Sequence, residues 1–299
     1  MTSDHIRDSA RALRDRIEPL IGQVYFSPEC HAGYAALGFG PSPTAGSGLE
    51  LPDGPAYFTS RGSLMGQVPG EVVAAAFAVF NPAAVVPAVS YGWSLTDAAT
   101  ICQARHDGAV AQLRRVLGDA PDGLDKAVEL LRAACEPLKP AGRPLFAGAL
   151  SQAWPGDPWG DLFHAGDLLR EYRGDAHTAA WTAADLNATQ IGLLTELFWG
   201  MPPRTYVRSR AWSDDQLDEA TEQLRADGWI EDDRLSASGR ERREAIELAT
   251  DAQMARAIDA LDDDVKVLFD ILEPWGRAMV AAGGYPGAPS DIMSGRHAK

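Results

Sequence analysis

At 299 residues the chain has room for about two domains, and its 45% hydrophobic content excludes a disordered chain. A formal net charge of −15 opposes binding to nucleic-acid phosphates unless a basic patch is hidden locally. The longest apolar stretch, near Val72–Val79, is far short of the ~20 residues a membrane span needs, and Met1 to Asp8 are polar, so no membrane contact is expected and the cytoplasm is the expected compartment.

Residues 6–24 repeat Ile6, Ala10, Leu13, Ile17 and Leu20 at three and four, which predicts a helix. Ser27 reads as an N-cap with Pro28 in the first turn of a short helix that stops at Gly38. Residues 40–55, rich in Gly, Pro and Ser, read as a loop. An apolar helix is predicted over Val68–Phe80, ended by Asn81-Pro82, with Asn81 as its C-terminal cap. Helices follow at 83–89, 96–117 and 123–138, and Pro/Gly-rich turns at 139–144 and 154–158 place the boundary between halves. In the second half, helices are predicted at 159–172, 177–184, 188–198 and 203–210, with a break at Arg173-Gly174-Asp175. A final helix over 264–282 is the candidate surface for a homodimer.

Between Trp212 and Glu247 the order is more specific. Ser213 caps a helix that opens with Asp214 and Asp215, where the helix dipole favours negative charge. Gly228 closes it, Trp229-Ile230 and Leu235 flank a polar tip as a small wing, and Ser238-Gly239-Arg240 starts another helix. This order resembles a MarR-like winged helix. In a DNA-binding member the capped helix enters the major groove. Here residues 213–251 carry 13 acidic and five basic side chains, so the unit reads as a scaffold and DNA is not expected as a partner. Phe80 and Trp93 repeat the 13-residue spacing of Trp199 and Trp212, with Trp93-Ser94 matching Trp212-Ser213. The match is either coincidence or the trace of two related units.

These residues, with several others along the chain, resemble an actinobacterial family of helix-turn-helix proteins. The resemblance spans residues 6–285 and rests on Ser60-Arg61 with Gly66, Phe77, Phe80-Asn81-Pro82, Trp93, Gly142 to Phe146, Leu162-Phe163-His164, Leu168 to His177, Arg208 to Trp212 and Ala281 to Gly284. The Gly/Pro/Ser-rich segment before Arg61 departs from it. The resemblance implies an architecture and no particular chemistry: a mainly α fold of tandem winged-helix-like units with small β-wings. The expected division is an N-terminal domain at 1–145, a C-terminal domain at 146–285 and a flexible tail at 286–299.

The densest titratable cluster is His164, Arg170, Glu171, Arg173, Asp175 and His177. His164 and Glu171, seven apart, share a helical face with Leu168, and buried polar groups there need partners. Gly174 would let Asp175 and His177 fold back. Three readings stay open: a structural network; a pocket between the halves whose polar groups orient an apolar metabolite or drug; and acid–base catalysis by His164, Glu171, Asp175 or His177 in a cofactor-independent enzyme of specialised metabolism. Candidate ligand-binding residues are Arg61, Phe58, Phe77, Phe80, Asn81, Arg170 and Trp181. No phosphate loop, serine-hydrolase elbow or metal-ligand spacing occurs, and Cys30, Cys102 and Cys135 read as buried thiols, so neither cofactor nor metal is expected. Small-molecule binding is the leading reading, an enzyme the second and a transcriptional regulator the third.

Overall fold

The computed structural model describes residues 2–45 and 48–286. Most of the tail expected at 286–299 therefore lies outside the described residues. In chain order the helices are α1 (Ser3–Ile21), α2 (Pro28–Ala36), α3 (Gly54–Gly62), α4 (Gly70–Phe77), α5 (Pro82–Leu95), α6 (Ala98–Leu117), α7 (Leu124–Cys135), α8 (Pro144–Leu150), α9 (Pro158–Ala183), α10 (Ala188–Trp199) and α11 (Asp214–Ala226). A two-stranded antiparallel hairpin follows, β1 (Ile230–Glu231) with β2 (Arg234–Leu235), paired Ile230 to Leu235 and Glu231 to Arg234. Three helices close the chain: α12 (Ala237–Ala252), α13 (Ala255–Leu261) and α14 (Val265–Ala281).

Local chemistry sets many of the boundaries. Ser27 and Ser213 cap α2 and α11 by accepting hydrogen bonds from Cys30 N and Gln216 N, and Gln216 completes a capping box. Two expectations at this level are corrected. Asn81 does not end α4; its side chain accepts from Ala83 N and starts α5, where Pro82 in the first turn is already set for a helix. Gly54 and Pro55, the last residues of the expected loop, open α3, because Asp53 accepts from Ala56 N and Pro55 sits in the first turn. Within that loop Thr44 and Glu50 form an isolated bridge.

The longest helix, α9, packs against α1, α6, α7, α8 and α12. Sixteen of its 26 residues are buried, so its polar side chains have to find partners inside the protein. Close approach to α1 depends on Gly166, where a Cβ would overlap Ile21, and α2 meets α6 at Gly108, where a Cβ would overlap the Cys30 backbone. The expected break at 173–175 is not there: α9 runs unbroken through Gly174. A helical Gly costs about 1 kcal/mol relative to Ala, and packing of α9 against α8 and α12 on either side outweighs that.

One large core joins α1, α2, α6, α7 and most of α9 to α13 and α14, mixing residues from before and after position 145. A second core gathers Trp181 at the end of α9 with α10, α11, the hairpin and Ile246 of α12. A third holds α3, α4, α5 and Leu145. The apolar face of α14 packs on α1, α6 and α7, so a homodimer through this helix would meet its outer side, where Lys266, Val267, Asp270, Pro274 and Arg277 are exposed. Trp93 and Ser94 lie in the last turn of α5, whereas Trp212 and Ser213 precede α11, so the 13-residue match does not carry over to the elements. Among the described residues the only strand pair is β1–β2.

Candidate functional site

Because α9 is continuous, Arg170, Arg173, Gly174 and His177 fall at positions i, i+3, i+4 and i+7 and share one face. That face borders a cavity of about 460 Å³ between α1, α3 and α9 on one side and α10, α12 and the 201–210 segment on the other. Its walls are partly apolar: Ile17, Phe26, Trp199, Met201, Tyr206 and Tyr285. Six arginines also reach it, Arg14, Arg61, Arg170, Arg173, Arg210 and Arg243, against two carboxylates, Glu18 and Glu247.

On the α3 side, Arg61 lies over the Phe77 ring, 4.6 Å from its centroid, and donates from Nε and Nη2 to the two oxygens of Glu171 at 2.9 and 2.6 Å. Arg170 donates to both oxygens of Glu18 at 2.9 and 3.0 Å and to the Tyr25 hydroxyl at 3.0 Å. Tyr285 donates to the same Glu18 at 3.2 Å. Glu171 is 0% exposed at its side chain. Burial alone would raise its carboxyl, but Arg61 and then Arg170 overturn that and hold it down at about 2. Glu171 is thus a fixed anion locked between two guanidinium groups, and burial pushes neighbouring Tyr25 up to about 12.

The α12 side is a second network. Arg243, 1% exposed, donates to Glu247 at 2.7 Å and to the Thr195 hydroxyl at 3.4 Å. Arg173 donates to Asp251 at 2.8 Å, and Arg11 donates to the other Asp251 oxygen at 2.6 Å. His177 Nδ1 is 3.1 Å from the Thr250 hydroxyl and 4.0 Å from Glu247. Burial pushes His177 down to about 4, with Arg243 and Arg173 helping and Glu247 opposing, so its ring is neutral at pH 7. Burial, then the charge of Arg14, also lowers Arg173 from its ordinary value. Arg11 also donates to Glu244 at 2.8 Å, so three arginines meet three carboxylates here.

Arg210 is placed by a junction between two distant segments. Asn81 N donates to Arg210 O at 2.9 Å, Asn81 Nδ2 donates to Ala211 O at 3.0 Å, and Trp212 Nε1 donates to Val79 O at 2.9 Å. Both segments carry an alanine at positive φ, Ala78 at 54° and Ala211 at 63°, where glycine is at ease and L-residues other than Asn and Asp are seldom found. The junction holds the Arg210 guanidinium between the rings of Phe80 and Tyr206, at 4.7 and 4.3 Å.

Among the four residues read as acid–base candidates, His177 lines the cavity, Glu171 lies behind Arg61, and His164 and Asp175 point elsewhere. His164 is buried and meets Trp154 edge to face with 4.7 Å between ring centroids, and burial lowers its pKa. Asp175 accepts from Phe146 N at 3.0 Å, and burial raises it to about 6. Arg61 and Arg170 line the cavity directly. Phe77 and Phe80 sit one layer back as platforms under Arg61 and Arg210, and Phe58 packs on both rings. Asn81 acts at the junction, and Trp181 belongs to the second core.

Sequence reasoning missed Arg14, Glu18, Tyr206, Arg210, Arg243 and Glu247. The available signal was the stripe Arg243, Glu247, Asp251 at steps of four on one helix, facing Arg170, Arg173 and His177 on another.

Among the described residues no helix is long and apolar enough to cross a membrane. No curated protein and no solved structure matches the chain. The Helix-turn-helix family profile matches residues 10–286, which takes in α9, α12, the Asn81–Ala211 junction and every side chain described around the cavity. The chain belongs to the Helix-turn-helix family.

Proposed function

We propose that this helix-turn-helix protein binds a small molecule in the cavity between α9, α10 and α12. The observation that carries the reading is the cavity itself. Its 460 Å³ lies within the ~300–1,000 Å³ of small-molecule sites. Aromatic walls supply contact area, and guanidinium groups fixed by Glu18, Glu171, Glu247 and Asp251 supply oriented donors.

The order α10, α11, hairpin, α12 supports a MarR-like winged helix in the C-terminal part, and we read it as a scaffold. The outer face of α11 presents Asp214, Asp215, Asp218, Glu219 and Glu222, and nearby Arg204 and Arg208 are engaged by Asp214 and Asp218.

The test is a thermal-shift screen of metabolites and drugs on the wild-type protein and on Gly174→Trp. Gly174 lines the cavity and a Cβ there meets only Glu171 Oε2 at 3.8 Å, so a side chain built at this position starts in open space; an indole there is expected to fill the cavity. A ligand at a hundred times its Kd adds about 2.7 kcal/mol of stability. Hits that stabilise the wild type and not Gly174→Trp support the reading; hits insensitive to Gly174→Trp refute it.

A second reading, acid–base catalysis on the bound molecule, is favoured by one observation: His177 borders the cavity as a neutral imidazole. A His177→Ala protein that retains ligand and loses turnover supports it.

A further inference from the structure

The chain is acidic overall, yet the cavity is cationic. Six arginines line it, and the carboxylates touching them do not balance them. Glu171 is shared by Arg61 and Arg170, Glu18 serves Arg170, Glu247 serves Arg243, and Asp251 serves Arg173 together with Arg11. Arg14 pairs with its chain neighbour Asp15 at the rim. Arg210 has no carboxylate within salt-bridge distance among the described residues; it donates to the Ser209 hydroxyl at 3.2 Å, interacts with the Tyr206 hydroxyl and lies against two rings. The Nε groups of Arg173, Arg210 and Arg243 are buried and make no hydrogen bond. A buried guanidinium without an anion is costly, and among the six arginines on the cavity Arg210 is the one with no carboxylate partner among the described residues.

Resting on the small-molecule reading above, we propose that the ligand is a small organic anion, a carboxylate or another oxyanion on an aromatic or apolar body, held at its charged end by Arg210. Size separates this ligand from a nucleic acid. The acidic outer face of α11 repels a polyanion at range, whereas a molecule that enters the cavity meets an excess of guanidinium groups at hydrogen-bonding distance. Planar arginine donors suit oxyanions by geometry as well as charge. Trp199, Tyr206 and Phe26 then face the apolar body. Phe80 and Tyr206 fix the Arg210 plane beforehand, so less side-chain freedom is lost on binding.

Two fluorescent probes with one ring system test this: anilinonaphthalene sulfonate, an anion, and phenylnaphthylamine, its uncharged counterpart. Each is titrated into the wild type, Gly174→Trp and Arg210→Met, with melting curves confirming that all three are folded. The expected result is that the sulfonate binds the wild type more tightly than the uncharged probe, and that Gly174→Trp abolishes both. Arg210→Met then weakens the sulfonate by about ten- to a hundredfold, the range of a hydrogen bond to a charged group, and leaves the uncharged probe unchanged. Equal affinity of the two probes, both lost in Gly174→Trp, overturns the anion proposal and leaves the pocket reading intact. Binding of neither probe, or binding indifferent to Gly174→Trp, overturns both. The comparison of probes on the wild type decides the matter even if Arg210→Met does not fold.

Discussion

Arg61 on α3 and Glu171 on α9 meet in a two-point pair, 110 residues apart in sequence, with 2.9 and 2.6 Å between donor and acceptor. The pair fastens the third core to the central helix, since the same guanidinium lies on the Phe77 ring. A buried pair of this kind is weak evidence for net stability, but breaking it leaves a charge uncompensated. Glu171→Gln is therefore expected to lower unfolding free energy by about 3 kcal/mol. The double variant Arg61→Met, Glu171→Leu should lose less than the sum of the single changes. Chemical denaturation of the wild type, Glu171→Gln, Arg61→Met, Glu171→Leu and the double variant measures both, and additive losses in the cycle would mean the two side chains are not coupled.

The Asn81–Ala211 junction makes an opposite-signed pair of predictions. Ala211 sits at φ 63°, where glycine carries no Cβ penalty. Ala211→Gly is expected to stabilise the protein by about 1 kcal/mol. Asn81→Ala removes both the cap of α5 and the donor to Ala211 O, and is expected to cost about 1–2 kcal/mol. Denaturation midpoints at constant slope measure each. A destabilised Ala211→Gly would show that the junction is unstrained.

What could be read along the chain follows from the range of the forces involved. Ser27 and Ser213 were legible because a cap is satisfied within three residues. Gly174 was misread because its local preference for a break is set against packing from α8 and α12, which no local window contains. Asn81 was misread in direction: a residue before Pro can end one helix or start the next, and the Ala83 N–H decides it. The α9 segment carrying Arg170 and His177 was found from its density of polar groups in an apolar helix. Arg14 and Arg243, by contrast, look like ordinary members of charged helical faces, and their convergence appears only when α1 and α12 fold onto α9. Arg210 lies in a short 3-10 turn with no periodicity to reveal it, and depends on a contact with residues about 130 positions earlier.

Two neighbours on α9 give the protein opposed pH dependences. His177 falls from 6.5 to about 4 on folding, so the stability tied to its neutral ring is present above pH 6.5 and is lost as pH falls through about 4. Asp175 rises from 3.8 to about 6, so its contribution is present below 3.8 and is lost as pH rises through about 6. Asp175→Asn keeps an acceptor for Phe146 N and removes the ionisation. It is expected to add on the order of 1 kcal/mol above pH 6 and nothing at low pH. His177→Gln should flatten the loss between pH 6.5 and about 4. Unfolding free energies across that range check both, and a pH-independent gain in Asp175→Asn would place the effect in packing instead.

The last prediction concerns the outer face of α11. A helix in the major groove must bring its exposed side chains within a few ångström of phosphates, and this one brings Asp214, Asp215, Asp218, Glu219 and Glu222. Arg204 and Arg208, in the segment before it, are already paired with Asp214 and Asp218. Duplex DNA is therefore expected to bind no more tightly than the ~10⁻⁴–10⁻⁶ M of non-specific association at physiological salt. Replacing Asp215, Glu219 and Glu222 by Lys should strengthen that association and steepen its salt dependence, because added cations release counterions from the duplex. Gel-shift titrations at two salt concentrations separate the cases. A sequence-selective complex of the unmodified protein in the nanomolar range would mean that the acidic face turns away from the DNA and that another surface reads it.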